Sequence, residues 1–176
     1  TSSSFSIGWN AVEGATSYEV SLRERPAPYA NPEQACVLRE DFAKCWSKST
    51  SLNSIANKLD NYTAKPGWTG SRLFTSSNYL KMGQGSNMGE LTTPMLDTPL
   101  ADGLTIVLTL TPFGSSNKMT GSVSILLKSG NMQGSYDADG TQTLIFTTPS
   151  IEEAYQVKLS PSTVCYISHF EVYDGV

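Results

Sequence analysis

The run Leu104-Thr105-Ile106-Val107-Leu108-Thr109-Leu110 puts an apolar side chain at every second position, the signature of a strand with one face in a core. Val123-Ser124-Ile125-Leu126-Leu127 does the same over a shorter span. With these two, which lie within 103–112 and 121–127, strand-like runs cover residues 36–42, 71–74, 79–82, 89–93, 141–148, 154–159 and 164–173. Turn chemistry separates them: Lys65-Pro66-Gly67, Gly114-Ser115-Ser116-Asn117, Ser129-Gly130-Asn131 and Asp137-Ala138-Asp139-Gly140. Only residues 47–61 offer a helical alternative, with Leu52, Ile55, Ala56 and Leu59 at helical spacing. About eight short strands with tight connections and no long amphipathic helix predict an all-β chain, an antiparallel β-sandwich.

The chain's 176 residues are enough for one domain with its own core, so neither disulfides nor a metal is needed to hold it. Its surface is polar without being ionic: 24 Ser and 18 Thr outnumber 12 basic and 16 acidic residues, and the net charge is -4. That balance excludes a basic nucleic-acid face and a polybasic membrane patch. No apolar stretch is long enough for membrane insertion. The expectation is an extracellular or cell-surface module, monomeric, cut from a longer protein, because Thr1-Ser2-Ser3-Ser4 carries neither Met nor signal features.

Three cysteines cannot all pair within one chain. Cys36 and Cys45 flank a strand-like segment, an awkward span for a bridge, and Cys165 reads as a buried thiol. Cys165 and His169, four apart, are expected on one strand face about 13 Å apart, beyond reach of each other. The acids are scattered, without the facing pair that glycoside hydrolysis requires, and no nucleophile elbow is present. An enzyme is not expected.

Two segments carry family resemblances. Trp9-x-x-Val12-x-Gly14-Ala15-x-x-Tyr18-x-Val20 resembles a strand–turn–strand region of a fibronectin type III domain. After it, three prolines between Pro26 and Pro32 mark an extended linker. The expected organisation is therefore a partial fibronectin-type hairpin over 1–25, a linker over 26–35 and a main domain over 36–176. Within the main domain, Leu38-Arg39-Glu40-Asp41-Phe42, Leu59-Asp60-Asn61-Tyr62-Thr63, Pro66-Gly67-Trp68-Thr69-Gly70, Leu80-Lys81-Met82-Gly83, Gly89-Glu90-Leu91-Thr92-Thr93-Pro94 and Phe170-Glu171-Val172-Tyr173-Asp174 follow one another in an order similar to the jelly-roll modules of secreted Bacteroidetes surface proteins. That resemblance places the chain with galactose-binding-like and carbohydrate-binding modules.

It implies a non-catalytic module for glycan binding or cell adhesion, with a glycan or a surface protein as partner. A spacer domain without ligand and a glycan-active hydrolase stand as alternatives. Aromatic side chains near turns are the candidate sugar platforms: Trp46, Tyr62, Trp68, Tyr79 and Tyr136, with Phe113 a further ring. For Trp68 the turn-rich setting suggests exposure, while the resemblance suggests a core role. In such jelly rolls the first and last strands often hold a structural Ca2+. Glu40, Asp41 and Asp174 are its candidate ligands, hard oxygens of the type calcium takes. Asp137-x-Asp139-Gly140 lacks the later Glu of a calcium loop and reads as a turn.

Overall fold

Alternating apolar positions force every second side chain to one side, and two sheets meet over those sides. The computed structural model describes residues 34–176; the fibronectin-like hairpin and almost all of the linker lie outside them. Eleven strands occur among the described residues: β1 Ala35–Glu40, β2 Thr69–Ser71, β3 Leu73–Ser76, β4 Tyr79–Met82, β5 Glu90–Thr92, β6 Leu104–Pro112, β7 Lys118–Leu126, β8 Met132–Asp139, β9 Gln142–Thr147, β10 Gln156–Pro161 and β11 Cys165–Asp174. One sheet runs β3-β4-β11-β6-β9 with β1 also on β11, and the other runs β2-β5-β10-β7-β8. All strand pairs are antiparallel. The fold is an all-β antiparallel sandwich, as the sequence pattern predicts.

Leu104, Ile106, Leu108 and Leu110 of β6 all point into the core, as do Val123 and Ile125 of β7 and Val157 and Leu159 of β10. The two central partners β6 and β11 pair over Cys165–Asp174. A register shift between Ile167 and His169 flips the alternation there, so Cys165 and Ile167 face the core and so do Phe170 and Val172. Cys165 and His169 consequently point to opposite faces, which corrects the expectation that they share one.

Two readings of local structure change. Residues 47–61 form no amphipathic helix: only Ala56–Asn61 turns, as a kinked 3-10 segment, and Leu52 is 91% exposed. The backbone there has other partners, since the N–H groups of Ser47, Ser51 and Ile55 donate to the carbonyls of Ser76, Thr75 and Leu73. The segment thus covers the free edge of β3, and a strand edge outcompetes one isolated helical turn. Met132–Asp139, expected to be turn and loop, is strand β8, paired with β7 over eight residues. Gly134, Ser135, Asp137 and Asp139 hid it, because the core side carries only Met132, Tyr136 and Ala138.

A candidate saccharide cleft at the open seam of the sandwich

The expected sugar platforms lie mostly in the core. Trp68 is 3% exposed, with its ring edge-on to Phe42 at 5.8 Å and to Phe170 at 5.3 Å, which decides for the core reading. Tyr79 and Tyr136 are also buried core residues, and Tyr136 sits with its hydroxyl where a Cβ on Gly121 would be. Burial pushes the Tyr136 phenol well above its ordinary pKa, and among the described residues its oxygen has no hydrogen-bond partner. Trp46 and Tyr62 are half-buried and packed on the core. Rings that follow turns are drawn inward here because they seal the ends of the sandwich, where strand side chains alone leave apolar surface open.

The expected calcium ligands do not converge either. Glu40 stands opposite Phe170 and Asp174 opposite Ala35 in the β1–β11 register, so the two carboxylates lie about 14 Å apart along β11. Each is already satisfied by backbone donors. The N–H of Phe42 bonds Glu40 Oε1 at 3.0 Å and that of Ala64 bonds Oε2 at 2.6 Å. Asp174 accepts from the N–H groups of Leu100 at 2.6 Å and Ala101 at 2.9 Å, and Asp41 from that of Ala43 at 2.9 Å. Glu40 holds Phe42 in its left-handed conformation at φ 50° and ties it to residue 64. Burial raises the pKa of the Glu40 carboxyl, the two N–H bonds pulling the other way. Asp174 in turn fastens the end of β11 to the loop before β6.

What the structure brings together instead is a seam. Among the described residues β8 and β9 are the terminal strands of their sheets, each paired with a strand on one side only, and both face the same edge of the sandwich. Near the start of β8 and the end of β9 the sheets gape into a cavity of about 170 Å³. Its floor is Ile106, Val123 and Ile125, and Phe146 and Met132 form its walls. Gln133, Thr147 and Thr148 stand at its rim. The Phe146 ring is held edge-on to Tyr136 at 6.5 Å. Thr148 is tied down, its Oγ1 accepting the N–H of Leu104 at 3.0 Å and its N–H donating to the Leu104 carbonyl at 3.0 Å.

Gly134 opens this cavity. Met132, Tyr136 and Ala138 on β8 point inward, so the same parity gives position 134 an inward direction, yet no side chain is there. Neither of the usual reasons for a strand glycine applies. Its φ is not in the left-handed region, and an added Cβ would meet only Phe146 ring carbons at 3.6 and 3.9 Å, ordinary van der Waals contact. Gly121, on the partner strand, is the contrast: a Cβ there would lie 2.5 Å from the Tyr136 hydroxyl and 2.7 Å from the Ser160 carbonyl. A glycine that geometry does not demand leaves one missing side chain's worth of space over an aromatic wall.

The chemistry available in the seam is that of binding. Among the described residues, no acid, histidine or cysteine lines it. It combines an apolar floor, one ring, three side chains with polar ends at the rim and the backbone groups of two strands that are sheet edges among the described residues. A broader depression beside Met95, Leu126, Leu127 and Ala154 is less suited: it has no ring, and its Glu153 is engaged by the N–H groups of Lys128 and Ser129 and by the Ser129 hydroxyl. Sequence reasoning missed Gly134 and Phe146 because it sought exposed rings in turns. The signal was present as a glycine interrupting the inward parity Met132-x-Gly134-x-Tyr136-x-Ala138.

No protein family and no curated protein matches the chain. Solved structures resemble it in shape. BiXyn10A CBM1 in its apo form is 10% identical with a TM-score of 0.47, over 78% of this chain and 96% of that one. A family GH115 4-O-methyl-alpha-glucuronidase, BtGH115A, with specificity for decorated arabinogalactans, is 13% identical at a TM-score of 0.46, over 87% of this chain but 20% of its own. A CBM4 structure is 14% identical at 0.41, over 76% of this chain and 92% of that one. Likeness at these values concerns shape and brings no ligand with it.

Proposed function

We propose that this chain is a non-catalytic module of a secreted or surface protein that binds a saccharide in the seam between β8 and β9. The carrying observation is Gly134: an exposed strand position of inward parity that carries no side chain although neither backbone conformation nor crowding requires glycine there. A spacer domain gains nothing from such a gap, since filling it would bury more apolar surface. A binding module gains a place for a ligand. The cavity is smaller than the ~300–1,000 Å³ pockets that enclose drug-sized ligands, which fits one sugar ring or chain end with the rest of the glycan outside. The apolar C–H face of a pyranose would rest on Phe146, beside Met132. Its hydroxyls would reach Gln133, Thr147 and the free edge amides and carbonyls. Binding of this kind needs neither metal nor cofactor.

The test is a glycan array followed by NMR titration of the folded protein with the best neutral oligosaccharide. Shifts concentrated at Gln133, Gly134, Phe146 and Thr147 are expected. A protein that is folded by circular dichroism and binds no glycan on the array defeats the proposal and leaves the spacer reading.

A further inference from the structure

We propose a second saccharide site on the outward face of the six-stranded sheet, selective for an acidic sugar, with Lys81 as its charge-recognising group and Phe113 and Tyr166 as its stacking surface. The inference goes beyond the seam and does not depend on it. Phe74, Lys81, Tyr166 and Thr111 stand side by side in one row across β3, β4, β11 and β6. Their neighbours Leu80, Met82, Cys165, Ile167 and Leu110 are core residues, so this row faces outward. It lies about 17 Å along β6 from Ile106 and on the opposite face of the sheet from the seam.

Lys81 is 7% exposed, and its Nζ lies 4.3 Å from the centre of the Phe113 ring and 5.9 Å from that of Phe74. No carboxylate among the described residues forms an ion pair with it. Burial lowers its pKa, the direction expected of an ammonium removed from water without a counter-charge. Elsewhere on the same face a buried charge is matched. Glu171 receives the Arg39 Nε–H at 3.0 Å and the Tyr173 hydroxyl at 3.0 Å. Among the described residues, the row at Lys81 thus stands out as a desolvated cation whose compensation is aromatic. A Met would pack the same two rings without carrying a charge out of water.

Phe113 is 42% exposed just beyond the end of β6, its ring 5.8 Å from Tyr166 and tilted by 53°. Two partly open rings beside an unmatched ammonium complement a pyranose that bears a carboxylate. The sugar's C–H face stacks on the rings and the carboxylate takes the Lys81 N–H donors. The Thr111 and Thr141 hydroxyls, 3.1 Å apart, adjoin the row and can take up sugar hydroxyls.

The test compares trigalacturonate, its methyl ester and a neutral trisaccharide by NMR and calorimetry at low ionic strength, with the wild type and Lys81→Met. Trigalacturonate should shift the signals of Tyr166 and Phe113, and the uncharged ester should bind at least ~10-fold more weakly, the loss of one charge-assisted contact. Lys81→Met should reduce trigalacturonate affinity to that of the ester and leave neutral binding at Phe146 and Thr147 unchanged. The ester comparison uses the unaltered protein, so it stands even where the variant fails to fold. Equal affinity for acid and ester, or shifts at Phe146 with none at Tyr166, overturns the second site. An equal response to inorganic sulfate also overturns it, because the rings would then play no part. Loss of neutral binding with trigalacturonate binding intact would count against the seam and not against this site.

Discussion

Gly134→Ala is the sharpest perturbation this structure offers, because stability and binding should move in opposite directions. The substitution restricts the unfolded chain at a position whose φ an alanine adopts without strain, worth about 0.4–1 kcal/mol. It also places a methyl against Phe146 at 3.6 Å, and burying one such group adds up to ~0.8 kcal/mol. The sum is a gain of about 0.4–1.8 kcal/mol, or roughly 1–7 °C in Tm for a chain of this size. Yet the same methyl occupies the space assigned to the sugar ring, so affinity should fall, and Gly134→Leu should abolish it. Thermal unfolding by circular dichroism reads the first effect and calorimetric titration the second. A loss of stability on Gly134→Ala would mean that the glycine serves the backbone and the cavity is incidental. A gain in stability with unchanged affinity would remove the seam as the binding site. Gly121→Ala is the internal control and should be destabilising, since its Cβ would collide with the Tyr136 hydroxyl and the Ser160 carbonyl.

Leu108→Ala, at the fully buried centre of β6, should cost about 2–5 kcal/mol in denaturant unfolding, and a cost under ~1 kcal/mol would contradict the assigned register. Glu40, whose pKa burial raises, binds its proton more tightly in the folded than in the unfolded protein. Its contribution to stability is therefore fully present below the ordinary Glu range and lost as pH rises through the raised value. Wild type minus Glu40→Gln stability should fall with rising pH across mildly acid conditions, and a difference that rises instead refutes the assignment. With Glu40, Asp41 and Asp174 each bonded to backbone N–H groups, a chelator should leave Tm unchanged. A calcium-dependent shift of several degrees would require a different set of ligands.

The sandwich was legible because its evidence is local and periodic. Leu104 to Leu110 and Val123 to Leu127 state their inward parity in their own side chains, and their burial follows it. What was not legible depends on pairing. Residues 47–55 carry helical spacing, but their amides find the free edge of β3, a partner that no local window contains. Met132–Asp139 is composed like a turn and becomes a strand because β7 offers it eight residues of register. The bulge between Ile167 and His169 reverses one face of β11, and no residue type there announces it. Glu40 and Asp174 looked like companions because the first and last strands do pair. Antiparallel register sends them to opposite ends, and backbone donors meet each one's charge on the spot.

The same distinction explains why the candidate sites eluded a search for exposed rings. In a two-sheet sandwich the apolar ends must be plugged, and Trp68, with Phe42 and Phe170 around it, is such a plug despite its setting among turn formers. Large rings near turns are therefore spent on closure, and recognition falls to places where closure is withheld. At the seam it is withheld by a missing side chain between two unpaired strand edges. At Lys81 it is withheld by a charge that the surrounding rings cannot neutralise. Both departures run against what would stabilise the fold: a larger residue at 134 would fill the cavity, and an apolar one at 81 would remove a desolvated ammonium. Local choices that work against stability, in a sandwich whose other core positions on β6, β7, β10 and β11 are filled, are where a ligand's contribution is to be sought.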